Sequence, residues 1–411
     1  MKPIGPSQRA IASERPETVR MPRVPELDGL RALLAWWVVV YHARGPMFSA
    51  IEQIDFGPLG ILDRGGLAVD VFMILSGFVI AFLMDRIHEP AGPFLLRRFL
   101  RLFPAYLACL LPMLFLQGVL EGNIRANAEH LEPAVLATLL RGIAEPMQNF
   151  GAQLATHLLM LHGAVPETWL HNSSGAFLQP AWSISLEWQF YLAAPLAFWL
   201  LRRGRPGIAT AIGVTAIAFA TRGLWPRGLF GVYGAFLPLN LHWFAVGIAS
   251  FHLFRRVARA RPAPALLAWA PIATVAAIAA LVAIQTWRLG LARATTPAVW
   301  FPMALWCGVF SVLIACQGGR PGAITSATAA LLRWRPLHFL GGISYSTYLV
   351  HWPVLTLCQA AFRTWTDATP NQTFALHAVV SFPLIAAASW AMYRWIEAPA
   401  IEVGRRLAGR A

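Results

Sequence analysis

The sequence predicts an all-α, polytopic integral membrane protein of about ten transmembrane helices, and three observations carry that prediction. Of the 411 residues, 57% are hydrophobic and only 13% charged. The mean hydropathy is +0.55, which leaves too little polar surface for a water-soluble fold of this length. A hydrocarbon core of roughly 30 Å is crossed by about 20 apolar helical residues, and runs of that length recur along the chain. Finally, the arginines gather in short clusters between those runs, dense in alternate loops, which is the pattern of membrane orientation. The formal charge of +14 therefore reads as positive-inside anchoring and not as a nucleic-acid surface.

Residues 1–25 are polar and proline-rich and lack the apolar core and small-residue cleavage site of a secretory signal. They are expected to form a disordered cytoplasmic tail. Spans are expected near 27–45, 66–86, 96–120, 179–201, 207–222, 231–254, 265–287, 297–317, 338–362 and 374–396. An even number puts both termini on one side. With that side cytoplasmic, the 33 Lys+Arg divide more than two to one in favour of the cytoplasmic loops, as a protein of the inner (plasma) membrane requires. The transmembrane domain so defined covers 26–400, followed by a cytoplasmic tail at 401–411. One connection, about 121–178, is long and acid-rich and belongs outside. Within it, 152–162 is apolar but too short to span, and reads as interfacial or re-entrant. Cys109, Cys307, Cys316 and Cys358 sit in apolar runs without ligand spacing, so neither a metal site nor a disulfide framework is expected.

Ionisable groups inside spans are costly and mark candidate functional sites. In ELDGLRALLAWWVVVYH (26–42), Arg31 and His42 are eleven residues apart. At about 100° per residue they share one helix face, separated by roughly 16 Å along the axis. His42 suits a general base or a transient acyl acceptor; equally, Arg31 can snorkel to lipid phosphates while His42 marks the interface. In VDVFMILSGFVIAFL (69–83), Asp70 can orient His42 or simply place a charge at a helix N-terminus. Ser76 and Gly77 read as close helix packing.

LRRFLRLFPAYL (96–107) offers Arg97, Arg98 and Arg101, able to hold a polyphosphate such as that of acyl-CoA or to anchor the helix on the positive side. AWSISLEWQFYL (181–192) buries Glu187 too deep for an unpaired carboxylate, with Trp182, Trp188 and Tyr191 around it as pocket walls or as an aromatic belt. GGISYSTYLVHWPV (341–354) is dense in polar groups, which fits either an interhelical hydrogen-bond network or catalysis.

Taken in order, LDGLRALLAWWVVVYH, VDVFMILSGF, RRFLRLFPAY, WSISLEWQFYL and SYSTYLVHWPV resemble membrane-bound acyltransferase family 3, from about 25 to 400. The family includes O-antigen, exopolysaccharide and Nod-factor O-acyltransferases. The resemblance implies transfer of an acyl group, commonly acetyl, from acyl-CoA to a hydroxyl of a cell-envelope or secreted carbohydrate or lipid-linked glycan. It also implies activity-bearing roles for Arg31 and His42, for the basic set Arg97, Arg98 and Arg101, and for the acidic Glu187. Relatives often carry two adjacent acids there, whereas here Glu187 is followed by Trp188. No soluble hydrolase-like domain is expected after the last helix. A transporter or flippase lined by the same charges is the rival reading, and it does not explain five motifs in order.

Overall fold

The computed structural model describes residues 24–43, 62, 64–86, 89–260, 297–317, 322–365 and 370–409. Among them every regular element is helical, and six helices are long and apolar enough to cross a membrane. Three match expected spans closely, Gly65–Arg86, Gln179–Leu201 and Arg205–Leu224, and two, Ala91–Phe115 and Leu237–Arg256, overlap the expected 96–120 and 231–254 with their starts displaced by five and six residues. The sixth, Gln372–Ala408, continues past the expected end at 396. The expected 265–287 lies outside the described residues.

In chain order the helices are α1 (Pro25–Ala43), α2 (Gly65–Arg86), α3 (Ala91–Phe115), α4 (Gln117–Arg125), α5 (Pro133–Gln148) and α6 (Phe150–Leu158). They continue with α7 (Trp182–Leu201), α8 (Arg205–Thr221), α9 (Leu237–Ala260), α10 (Pro297–Gln317), α11 (Ala323–Leu332), α12 (Arg335–Gly342) and α13 (Ser344–Trp365). The last are α14 (Pro370–Leu376), α15 (Phe382–Met392) and α16 (Ala398–Ala408), joined by π-helical turns at His377–Ser381 and Tyr393–Glu397.

Helix α2 forms the centre because it is apolar all round: mean hydropathy reaches 2.5, and 72% of its apolar window is buried. A uniformly apolar helix needs neighbours on every face. Its most extensive partner is α9. A Cβ added at Gly247 would stand 2.0 Å from the carbonyl oxygen of Ile74, and one at Gly77 2.2 Å from that of Phe244. The two backbones therefore touch, which is what small residues permit inside a membrane. Gly247→Val should lower the unfolding midpoint in detergent, by an overpacking cost of at least about 1–3 kcal/mol. Gly213→Ala, where no atom lies within 4 Å, should not; equal midpoints for both variants would contradict this packing.

Two expected elements differ in detail. The third span breaks at Leu116, whose N–H already bonds back to the carbonyl of Pro112, so the chain restarts as α4. The ninth begins late: Arg335 opens α12, Ile343 interrupts it, and the long apolar helix starts at Ser344. Pro at the first or second position sets the start of α12.

The long connection is folded, not trailing. Its α5 and α6 lead to His157 and His162, both wholly buried, and Tyr106 of α3 shares a 2.8 Å hydrogen bond with His157 Nδ1. The two imidazoles stack at 4.0 Å between centroids. One face of 152–162, with Gln153, His157, Met160 and His162, is buried in the bundle, while Leu158 and Leu159 stay exposed.

Candidate active site

At its first turn, α1 is tied to α11 and α12. Arg333 Nε donates to Glu26 Oε1 at 2.7 Å, and Asp28 lies 3.3 Å from both Arg31 and His338. Backbones meet here as well, since a Cβ on Gly341 would stand 1.9 Å from the carbonyl oxygen of Asp28. This anchoring fixes the direction of α1, and with it Arg31 near one end and His42 near the other.

A cavity of about 340 Å³ opens between α1, α2, α3, α7 and α13. Its volume lies within the range of small-molecule sites. Arg31, Arg98 and Arg101 line it together with Glu187, Tyr191 and Tyr345. Along α2 the lining runs from Val69 to Leu83, a length of roughly 21 Å. Glu187 Oε1 accepts hydrogen bonds from Ser76 Oγ at 3.2 Å and from the Tyr191 hydroxyl. Two hydroxyls thus support the carboxylate that lacks a second acid beside it. Gly77 takes the packing role expected of the Ser76–Gly77 pair, whereas Ser76 turns to Glu187.

The three arginines of α3 differ. Arg98 lies over the rings of Phe94 and Tyr191, 5.8 and 5.7 Å from their centroids, and faces the cavity. Arg101 faces it too and is held from behind by Glu397 at 3.5 Å. Glu397 is 1% exposed and also accepts from Ser346 Oγ at 2.7 Å. Arg97 turns aside to Glu89. Burial pushes the Glu89 carboxyl above its usual range against the pull of Arg97 and Arg98.

At the other end, His42 Nδ1 and His351 Nε2 share a 3.1 Å hydrogen bond, with the rings stacked at 5.1 Å and Trp352 edge-on to His42 at 5.2 Å. The cavity ends beside this pair: Tyr348 lines it and has its ring centroid 5.8 Å from that of His351. Asp70 is directed elsewhere, towards Trp243 and Arg222. The expected set therefore divides. Arg31, Arg98, Arg101 and Glu187 converge; His42 stands one ring beyond; Arg97 and Asp70 are engaged with other partners.

The sequence drew attention to the segment that carries His351 without giving that residue a role, and it missed Glu397. The signal for His351 was the polar density of SYSTYLVH, eight residues of α13 of which six, Ser344 to Tyr348 and His351, are polar. For Glu397 it was a carboxylate near the end of an apolar helix, which a π turn aims inward. Such turns recur at functional sites.

Fold and site together define a multi-pass helical membrane protein whose charged and titratable groups converge inside the bundle. Residues 24–394 match the acyltransferase domain of acyltransferase family 3, and the chain belongs to that family. It is 30% identical over 237 residues to the acyltransferase MdmB of Streptomyces mycarofaciens, covering 55% of this chain and 53% of that one. With the putative membrane-bound transacylase BcsY of Komagataeibacter xylinus the identity is 29% over 335 residues, covering 80% and 72%. The peptidoglycan O-acetyltransferase OatA of Listeria monocytogenes is 25% identical over 395 residues, covering 92% of this chain and 55% of OatA. The chain thus spans about half the length of MdmB and of OatA. No solved structure matches it.

Proposed function

We propose that this protein is a membrane O-acyltransferase that moves an acyl group, acetyl in the simplest case, from cytoplasmic acyl-CoA to a hydroxyl of an envelope or secreted carbohydrate or lipid-linked glycan. The observation that carries the reading is the cavity itself: three arginines at one end, and one aromatic ring between its other end and a hydrogen-bonded histidine pair. In this reading ten spans cross the inner membrane with both termini cytoplasmic. Phosphates of the donor sit on Arg98, Arg101 and Arg31, with Arg97 at the rim, because guanidinium forks match phosphate oxygens. The thioester arm extends along α2 towards His42.

His42 Nδ1 faces His351 Nε2, and in this reading Nδ1 carries the proton. Nε2 is then the basic nitrogen. It removes the acceptor proton as the hydroxyl oxygen attacks the thioester carbon; the C–S bond breaks and the CoA thiolate takes up the proton. His42 can instead carry the acyl group briefly as an acyl-imidazole. Glu187 stands among the arginines and limits how firmly product CoA is retained. Asp70 steers the acceptor end of α2 through Trp243 instead of through His42.

Two outcomes test this. Mass analysis of surface and secreted glycans should reveal an acyl increment that disappears on deletion of the gene and returns with the wild-type protein. An unchanged glycan mass combined with altered glycan export would favour a transporter or flippase. As a separate check on the pair, His351→Ala should reduce transfer about 10–100-fold without changing donor KM, since it removes the group that orients His42; full activity would remove His351 from the site.

A further inference from the structure

At the start of α7, one residue before the cavity-lining Ser183, Trp182 stacks on Tyr233 with centroids 5.2 Å apart and planes within 2°. Both rings are only partly buried, as is Gln179, whose amide donates to the Tyr233 hydroxyl. The backbone is built to present Tyr233: Gly231 and Gly234 flank it at φ 70° and 56°, a conformation other residues rarely hold. An ideal Cβ on Gly231 would stand 2.0 Å from Ser174 Oγ, so the loop is pinned against the long connection. Ser183, one residue after Trp182, donates to the Tyr348 hydroxyl at 2.7 Å, and Tyr348 donates to the Pro180 carbonyl at 2.9 Å. Tyr348 is the ring next to His351. Tyr233 also lies within electrostatic reach of Tyr41, the residue before His42.

We infer that Trp182, Tyr233 and Gln179 form the acceptor platform of this enzyme, and that its occupant is a pyranose ring. The inference rests on the proposed acyl transfer and names where the acceptor sits. A flat indole–phenol stack offers apolar surface with polar handles at its edge, which suits the C–H face of a sugar ring. The Gln179 amide supplies both a donor and an acceptor, so adjacent hydroxyls can be held while a third points past Tyr348 towards His42. A linear polyol has the hydroxyls but no rigid ring face.

The test uses purified full-length protein with acetyl-CoA as donor, and methyl β-D-glucopyranoside, cellobiose and sorbitol as acceptor probes. Trp182→Leu and Tyr233→Leu should each lower kcat/KM for the two pyranosides about tenfold or more, with little change in KM for acetyl-CoA. Tyr233→Phe, which keeps the ring, should recover most of the loss. Sorbitol should be a poor acceptor for the wild type. Equal use of sorbitol, or unchanged pyranoside kinetics in both leucine variants, would overturn the platform. So would acetyl-CoA hydrolysis by the wild type without transfer to any pyranoside, an outcome that leaves the proposed activity standing. Absence of any acetyl-CoA turnover would overturn the activity itself.

Discussion

Replacement of His42 by alanine is expected to reduce acyl transfer by about 10²–10⁴-fold, the range a positioned general base contributes. His42 stands one ring beyond the end of the cavity away from the arginines, on the same face of α1 as Arg31, and its Nδ1 is already engaged with His351. Alanine removes the reacting nitrogen while keeping a good helix former in the last turn of α1. The protein should therefore still reach the membrane in normal amount. His42→Gln, which preserves hydrogen bonding but cannot take a proton at neutral pH, should fail equally. If acyl-imidazole is the route, brief incubation of the wild type with donor alone should add one acyl mass to the peptide carrying His42. Retained transfer in His42→Ala would remove this residue from the chemistry.

The second large effect is expected at Arg101. This guanidinium faces the cavity and is the ion-pair partner of a buried carboxylate, Glu397. Arg101→Met should raise KM for acyl-CoA at least about tenfold, since each charge-assisted contact to phosphate is among the stronger hydrogen bonds. It should also destabilise the protein by about 2–3 kcal/mol, less than a fully buried pair would lose, because Arg101 keeps 34% of its side chain exposed. The double variant Arg101→Met with Glu397→Gln separates the two effects. It should regain stability, because no charge is left unpaired, while donor KM stays high. Recovery of both would show that Arg101 serves only to neutralise Glu397.

Six of the expected spans recur among the described residues as helices long and apolar enough to cross a membrane, and they were legible because they rest on bulk physics, the length of apolar helix needed to cross hydrocarbon. Arg31, His42 and Glu187 were legible for a related reason: a charge inside an apolar run is conspicuous. What could not be read was partnership. Asp70 and His42 have suitable chemistry and lie on consecutive spans, yet Asp70 is directed towards Trp243, a residue of α9 that no local pattern connects to it. His351 and Glu397 are separated from their partners His42 and Arg101 by 309 and 296 positions, beyond any helical periodicity. The apolar 152–162 was read by its length alone, and the partner that draws it inward is Tyr106 on another helix. Helix packing, set by glycines such as Gly77 and Gly247, decides these pairings.

The central claim is that donor and acceptor meet inside the bundle from opposite ends, with His42 at the meeting point. It is tested most directly with the purified protein in sealed proteoliposomes of known orientation, carrying acetyl-labelled acetyl-CoA on the face of Arg98 and Arg101 and a glycan acceptor enclosed on the other. The wild type should give labelled acceptor in the lumen, and His42→Ala none. Label on the acceptor at equal rates in both, or only when donor and acceptor share a compartment, would contradict it.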